Sequence, residues 1–299
     1  MKKLYDILKE DVLGQSDPIK LSDIPNAQTA KRVWQAGSID GDKGDDKANT
    51  KSSTSVAVGN LSPMQKEVIP DKALAFALGY LRDGTPDLDE MEAIISNDMY
   101  IMDGHHRWAA RTLIDPTAKV NVAAVDMPAS DVVSALNVFT AALGKKGNQG
   151  RGDVTKFAGS IPALLDKVRA EGNAGFDSKG QWPKIEASEV DGLLGKVPGA
   201  NGDAEKGLSI MISNAKKLPK DKHPQAPDRI DMPVIDADKG DLKKVLKALQ
   251  SGEMDIKEPF ASTTSDAFGI DDHKINKGSK LNETINKNRW KKIANIKKK

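Results

Sequence analysis

The run Tyr100-Ile-Met-Asp-Gly-His-His-Arg-Trp-Ala109 constrains this chain more than any other stretch. A short apolar strand stops at Asp103-Gly104, and a helix-compatible segment starts at His105. That helix must end by Asp115, because Pro116 cannot continue it and restricts the residue before it. A strand that breaks into a helix within two residues leaves the first-turn N–H groups without intrahelical partners and with a partial positive charge. Gly104 allows close approach of a ligand, and Arg107 adds a fork-shaped donor. The turn is expected to seat an oxyanion, in practice a nucleotide or another phosphate ester.

The pattern around this turn alternates helix and strand and predicts an α/β core over residues 56–143. Pro70-Asp71 opens a helix with Leu74, Ala77, Leu78 and Leu81 on one face, closed at Asp83-Gly84. Ile94-Ile95 and Tyr100 to Met102 read as a β pair across Ser96-Asn97-Asp98. Lys119 to Asp126 alternates Val120, Val122 and Ala124 as a half-buried strand, and Ser130 is expected to cap a helix running through Leu143. Residues 1–55 read as an N-terminal arm whose Gly37–Thr54 stretch is a flexible loop.

Beyond the core, Gly144 to Gly152 is a Gly/Lys linker, and residues 151–260 read as a mostly helical, loop-rich extension. Its expected helices are Val154–Glu171 after Asp153, with Pro162 as an early break, then Ala204–Lys217 and Asp241–Gln250. Met232-Pro-Val-Ile235 reads as extended. With 25 Gly and 15 Pro in 299 residues, much of them here, the extension is expected to lean on a protein partner for its core.

Charge is unevenly spread. The chain is formally +2, while the basic tail, residues 261–299, holds ten Lys or Arg after residue 270 against Asp271, Asp272 and Glu283. Arg289-Trp-Lys-Lys292 suits either a nucleic-acid backbone or a solvated tail folded on an acidic body. The absence of cysteine excludes disulfides and thiolate metal sites, no run is long enough to span a membrane, and Met1 to Asp6 lacks a secretory apolar stretch. A cytoplasmic location is expected, host cytoplasm or virion-associated in a phage-encoded protein.

Each candidate residue carries two readings. Asp103 is either a base or Mg²⁺ ligand beside a phosphate, or a helix N-cap. His106 and Arg107 read as an exposed anion-binding pair at a helix start. Metal binding by His105 with His106 is disfavoured, since neighbouring helical side chains diverge by about 100°. Lys72 opposes its helix dipole unless an anion is near, Gln65 and Lys66 are candidates for the rim, and Asp71 and Glu92 read equally well as capping or solvated carboxylates. Trp108 with Ala109-Ala110 reads as an anchor onto the sheet.

The segment Leu61-Ser-Pro-Met-Gln65, then Ile69-Pro-Asp-Lys72, then Tyr100 to Ala110 resembles the ParB/sulfiredoxin superfamily, over roughly residues 56–140. Sulfiredoxins carry Gly-Cys-His-Arg at this turn and ParB proteins Glu-Arg-Arg. Asp-Gly-His-His-Arg is closer to free-serine-kinase-like members, and His105 in the cysteine position argues against peroxiredoxin repair. The resemblance implies a small mixed sheet with helices, phosphate contacts from Lys72, Gly104, His105, His106 and Arg107, and ATP or another nucleotide with Mg²⁺ as cofactor. The face that carries small hydroxyl residues in the family holds Ala75 and Gly79 here. The implied activity is phosphotransfer to a small hydroxyl-bearing acceptor. The alternatives are a ParB-like DNA-binding protein or nuclease, and a non-catalytic phage structural or assembly protein.

Overall fold

Short strands broken by Gly and Pro, between helices with one apolar stripe each, build a mixed α/β fold in the computed structural model, which describes residues 17–36, 46–84, 93–173, 182–218, 223–235 and 240–254. Five strands, β1 (Thr50–Ala57), β2 (Ser62–Pro63), β3 (Ile94–Ser96), β4 (Tyr100–Ile101) and β5 (Lys119–Val125), form one sheet in the order β1-β5-β3-β4-β2. The β1/β5 and β3/β4 pairs are antiparallel, and β5/β3 and β4/β2 are parallel. The described helices are α1 (Ala27–Ala36), α2 (Pro70–Asp83), α3 (His105–Ile114), α4 (Ala129–Ala142), α5 (Phe157–Glu171), α6 (Ala187–Gly195), α7 (Ala204–Ala215) and α8 (Asp241–Ser251).

The two-residue period of a strand sends alternate side chains to opposite faces, and here each face has its own core. Ile95, Ile101, Val120 and Val122 join α2, α3 and the extension helices α5 to α7 in one cluster. Ile94, Ala123 and Val125 join α1, α4 and α8 in the other. β5 is thus covered on both sides, not half-buried as its alternation predicts. The extension closes its apolar faces on the α/β unit of its own chain, through Phe157, Ile161, Val190, Leu194 and Met211 in the first core and Met232, Val245 and Leu249 in the second.

The N-terminal arm is likewise packed. Ile19, Leu21 and Ile24 are buried against α4, where the Ile19 N–H donates to Ser134 Oγ (2.9 Å) and Asn137 Nδ2 donates to the Ile19 carbonyl (2.8 Å). Thr50 to Thr54, read as loop, lie in β1, because pairing with β5 supplies a partner that local composition cannot reveal. The helix after residue 128 is capped at Pro128, not Ser130, whose hydroxyl sits inside the first turn. Residues 1–16, 37–45 and 255–299 lie outside the described residues, and with them the basic tail and part of the expected flexible loop. Among the described residues, no helix is long and apolar enough to cross a membrane.

Candidate functional site

The strand-to-helix turn is built as its residues dictate. The Met102 N–H makes a last ladder bond to the Ile94 carbonyl (2.8 Å), and the chain then bends at Asp103-Gly104. Gly104 is the N-cap of α3 with φ 94° and ψ 12°, a left-handed conformation that favours glycine. It offers no side chain to cap the helix, so the first-turn N–H groups at His105, His106 and Arg107 lack a capping oxygen of that kind. Asp103 is therefore not the cap. Its carboxylate accepts from the Gly104 N–H and stands 3.7 Å from Arg107 Nη2. Burial raises its pKa above the ordinary aspartate range, against the pull of Arg107, Gly104, Lys72 and Arg229.

Of the His106–Arg107 pair that the sequence suggests is exposed, His106 is buried, and His105 is buried beside it. His105 and His106 are 4% and 8% exposed, and both rings accept through Nε2: His105 from the Met64 N–H (3.3 Å) and His106 from the Ile69 N–H (3.1 Å). A ring accepting at Nε2 holds its proton on Nδ1, which in His105 leaves that nitrogen to hydrogen-bond the Ile101 backbone. Burial and nearby cations push His105 down to about 3 and His106 well below 6.5. Both are neutral, so neither brings positive charge to an anion. Ile69 is the N-cap of α2, so His106 ties the start of the helix carrying Lys72 to the start of the helix carrying Arg107.

Those two helix starts open onto a cavity of about 390 Å³. Lys72, Asp103, Gly104, His105, His106 and Arg107 all line it, so the candidate phosphate contacts and the candidate base come to one place. Gln65 is also in the wall and is buried, its Nε2 donating to the Glu67 carbonyl (2.7 Å). Lys66 is not; it pairs with Asp228 at 2.7 Å on the surface. Asp71 pairs with Arg151 at 2.9 Å, and Glu92 lies outside the described residues. Trp108 is buried and its indole N–H donates to the Val58 carbonyl (3.0 Å), which makes it the anchor of α3.

The sequence reading missed Arg229. It opens a single 3₁₀ turn, Arg229–Asp231, that leads into Met232-Pro-Val-Ile235, and all of this stretch except Ile230 and Asp231 lines the cavity. The Arg229 N–H donates to the Glu67 carboxylate (2.6 Å), and its Nη1 donates to the Gln149 carbonyl (2.9 Å). Burial pulls Arg229 below the usual guanidinium range, with Glu67 and Asp103 acting in the opposite sense. The Gly144–Gly152 linker is a strap laid against this turn: a Cβ on Gly147 would stand 1.7 Å from the Ile230 carbonyl oxygen, and Asn148 reaches the cavity. One signal was present. Asp126-Met-Pro and Asp231-Met-Pro share a spelling, and Met127 and Met232 are both buried in the second core.

No protein-family model and no curated protein matches the chain. A solved structure described as the C2221 form of a Pnob8-like ParB-N domain is similar at 10% identity, covering 74% of this chain and 79% of that one, with a TM-score of 0.25. So loose a superposition carries no residue and no role across. The ParB/sulfiredoxin resemblance rests on the residues of the turn.

Proposed function

We propose that the cavity at the start of α3 binds a phosphate ester, with a nucleotide as occupant. The observation that supports this is a concentration of charge: Lys72, Arg107 and Arg229, from three separate stretches of chain, line one cavity in which Asp103 is the carboxylate among the lining residues. Gathering partly desolvated like charges costs free energy that an anionic ligand offsets. The volume falls in the range of small-ligand sites, and the apolar wall of Phe76, Met102 and Met232–Ile235 favours a base over a duplex backbone.

Among the described residues no group of three His, Cys, Asp or Glu gathers as a metal cage. Mg²⁺ bound through substrate phosphates needs only one or two protein carboxylates, and Asp103 fits that role. Such an ion would neutralise phosphate charge during transfer. In the same reading Lys72, Arg107 and Arg229 hold the phosphate, and Asp103, half-buried at the turn, either holds that ion or accepts the proton of an acceptor hydroxyl.

Calorimetry with ATP and ADP, with and without Mg²⁺, tests binding. Arg107→Ala should weaken it by about tenfold or more, the weight of a hydrogen bond to a charged group. Asp103→Asn should bind nucleotide and transfer no phosphate. Gel retardation of duplex DNA that needs Arg107, and that ATP does not compete, would replace this reading with a DNA-directed one.

A further inference from the structure

The wall of the cavity contains a fixed hydrogen-bond acceptor. Gln65 lines it and is 4% exposed. Its Nε2 donates to the Glu67 carbonyl at 2.7 Å, and Glu67 is not among the lining residues. That bond decides which way the amide is turned, since only the nitrogen can donate to a carbonyl. The nitrogen is thus engaged by the chain itself, and the oxygen is the acceptor that Gln65 has left for a ligand. Among the described residues Oε1 accepts no hydrogen bond, yet it keeps contact with solvent.

The main chain holds this acceptor on both sides. Before it, the Met64 N–H donates to the His105 ring in the first turn of α3 (3.3 Å). After it, the Lys66 N–H donates to the Pro227 carbonyl (3.1 Å), the Lys66 carbonyl accepts from the Val154 N–H (2.9 Å), and the Glu67 carboxylate takes the Arg229 N–H. Gln65 therefore sits between the start of α3 and the Arg229 turn, at the end of the cavity assigned to phosphate. Phosphate oxygens are acceptors themselves, so an acceptor placed there calls for a donor close to the phosphate. In a nucleotide the group next to the phosphate is the sugar, whose donors are its 2′- and 3′-hydroxyls. The base, with its amines, lies farther off, toward the apolar stretch Met232–Ile235.

Resting on the phosphate-binding reading above, we infer that Gln65 is a specificity-determining residue: its amide oxygen accepts a hydrogen bond from a sugar hydroxyl, and the site takes ribonucleotides in preference to nucleotides without the 2′- and 3′-hydroxyls. The acceptor is held in advance, so little side-chain freedom is lost when the hydroxyl arrives. A ligand without the hydroxyl either strips water from the oxygen and returns nothing, or traps a water there. The difference is that of one neutral hydrogen bond, which sets it at about 5- to 10-fold in affinity.

The test is calorimetry on the full chain at pH 7.5 with Mg²⁺, using ATP, 2′,3′-dideoxy-ATP and inosine triphosphate, the last with a carbonyl in place of the base amine. ATP should bind about 5- to 10-fold more tightly than 2′,3′-dideoxy-ATP. Gln65→Met, close in shape but without the amide oxygen, should bring the two within about twofold of each other. Loss of the bond to Glu67 in that variant weakens both nucleotides alike and leaves their ratio untouched, so the ratio separates reading of the sugar from a structural role. Equal affinity for ATP and 2′,3′-dideoxy-ATP in the unaltered chain overturns the inference and spares the phosphate-binding reading. That comparison needs no variant, so a poorly folded Gln65→Met does not rescue the idea. A ratio that Gln65→Met leaves intact also overturns it, and so does a variant that instead erases a preference for ATP over inosine triphosphate, because Gln65 would then read the base. Failure of every nucleotide to bind would sink both.

Discussion

Acid should loosen this protein through its two latch histidines, and the size of the effect follows from their bonding. His105 and His106 accept backbone N–H bonds at Nε2, so protonation of either ring would set two donors against each other in a buried site. Lys72 and Arg229 face His106, and Arg229 faces His105, which adds repulsion. Their folded pKa values lie below the unfolded value of 6.5, so the unfolded chain binds more protons and stability falls as pH drops. The contribution is complete above pH 6.5 and is lost progressively below it, for His105 down to about 3. One proton per ring is worth about 1.4 kcal/mol per pH unit, so each histidine costs about 2 kcal/mol between pH 7 and pH 5, and the pair about 4. That is a large share of an ordinary 5–15 kcal/mol stability. His223 shifts in the same direction, while Asp103 and Asp131, raised by burial, act oppositely only between 3.8 and their elevated values. Urea melts at pH 7, 6 and 5 measure the slope, and His106→Gln, which can accept from Ile69 without titrating, should remove about half of it. Stability constant to within about 1 kcal/mol over that range, or an NMR titration with either ring protonating near 6.5, would refute the latch.

Three further perturbations probe the scaffold. Trp108→Ala empties the anchor of α3 and should cost about 3–5 kcal/mol in denaturant melts. Gly147→Ala forces the strap and the Arg229 turn apart, so a loss of about 1–3 kcal/mol in thermal unfolding should come with weaker phosphate binding by calorimetry. Asn137→Leu strips hydrogen bonds from the buried carbonyls of Ile19 and Asp231, at about 1–3 kcal/mol each, and should speed tryptic cleavage at Lys20 as the arm lifts from α4.

The elements legible in the sequence are those punctuated locally. Pro70 and Gly84 bound α2, Gly104 and Asp115 bound α3, and the β3–β4 pair turns where Ser96-Asn97-Asp98 predicts. What composition hid depends on partners far along the chain. β1 is mostly Thr and Ser and becomes a strand by pairing with β5. α6 is short, and its stripe of Val190, Leu193 and Leu194 has meaning only against α2, α5 and α7. The site divides in the same way. Lys72, Asp103, Gly104 and Arg107 belong to helix starts and a turn that can be read in place, whereas Arg229 arrives through a 3₁₀ turn with no periodic signature. The adjacency of His105 and His106 suggested anion ligands because sequence shows neither their burial nor the Met64 and Ile69 amides that occupy them.

The division of labour among these residues follows from what each can hold at neutral pH. An imidazole buried on a backbone N–H cannot carry charge, but it is rigid: His106 fixes the helix starts of Lys72 and Arg107 to one another, and His105 ties the start of α3 to Met64. A guanidinium cannot lose its charge, so Arg229 keeps it despite burial and depends on Glu67 and the strap for position. Charge and geometry are thus supplied by different side chains. A consequence is that the cavity is complete only when the extension is folded on the α/β unit, since its third cation and most of its apolar wall come from residues 229–235. A ligand that uses all three cations must then stabilise the docking of that segment, by the linkage that favours whichever state binds.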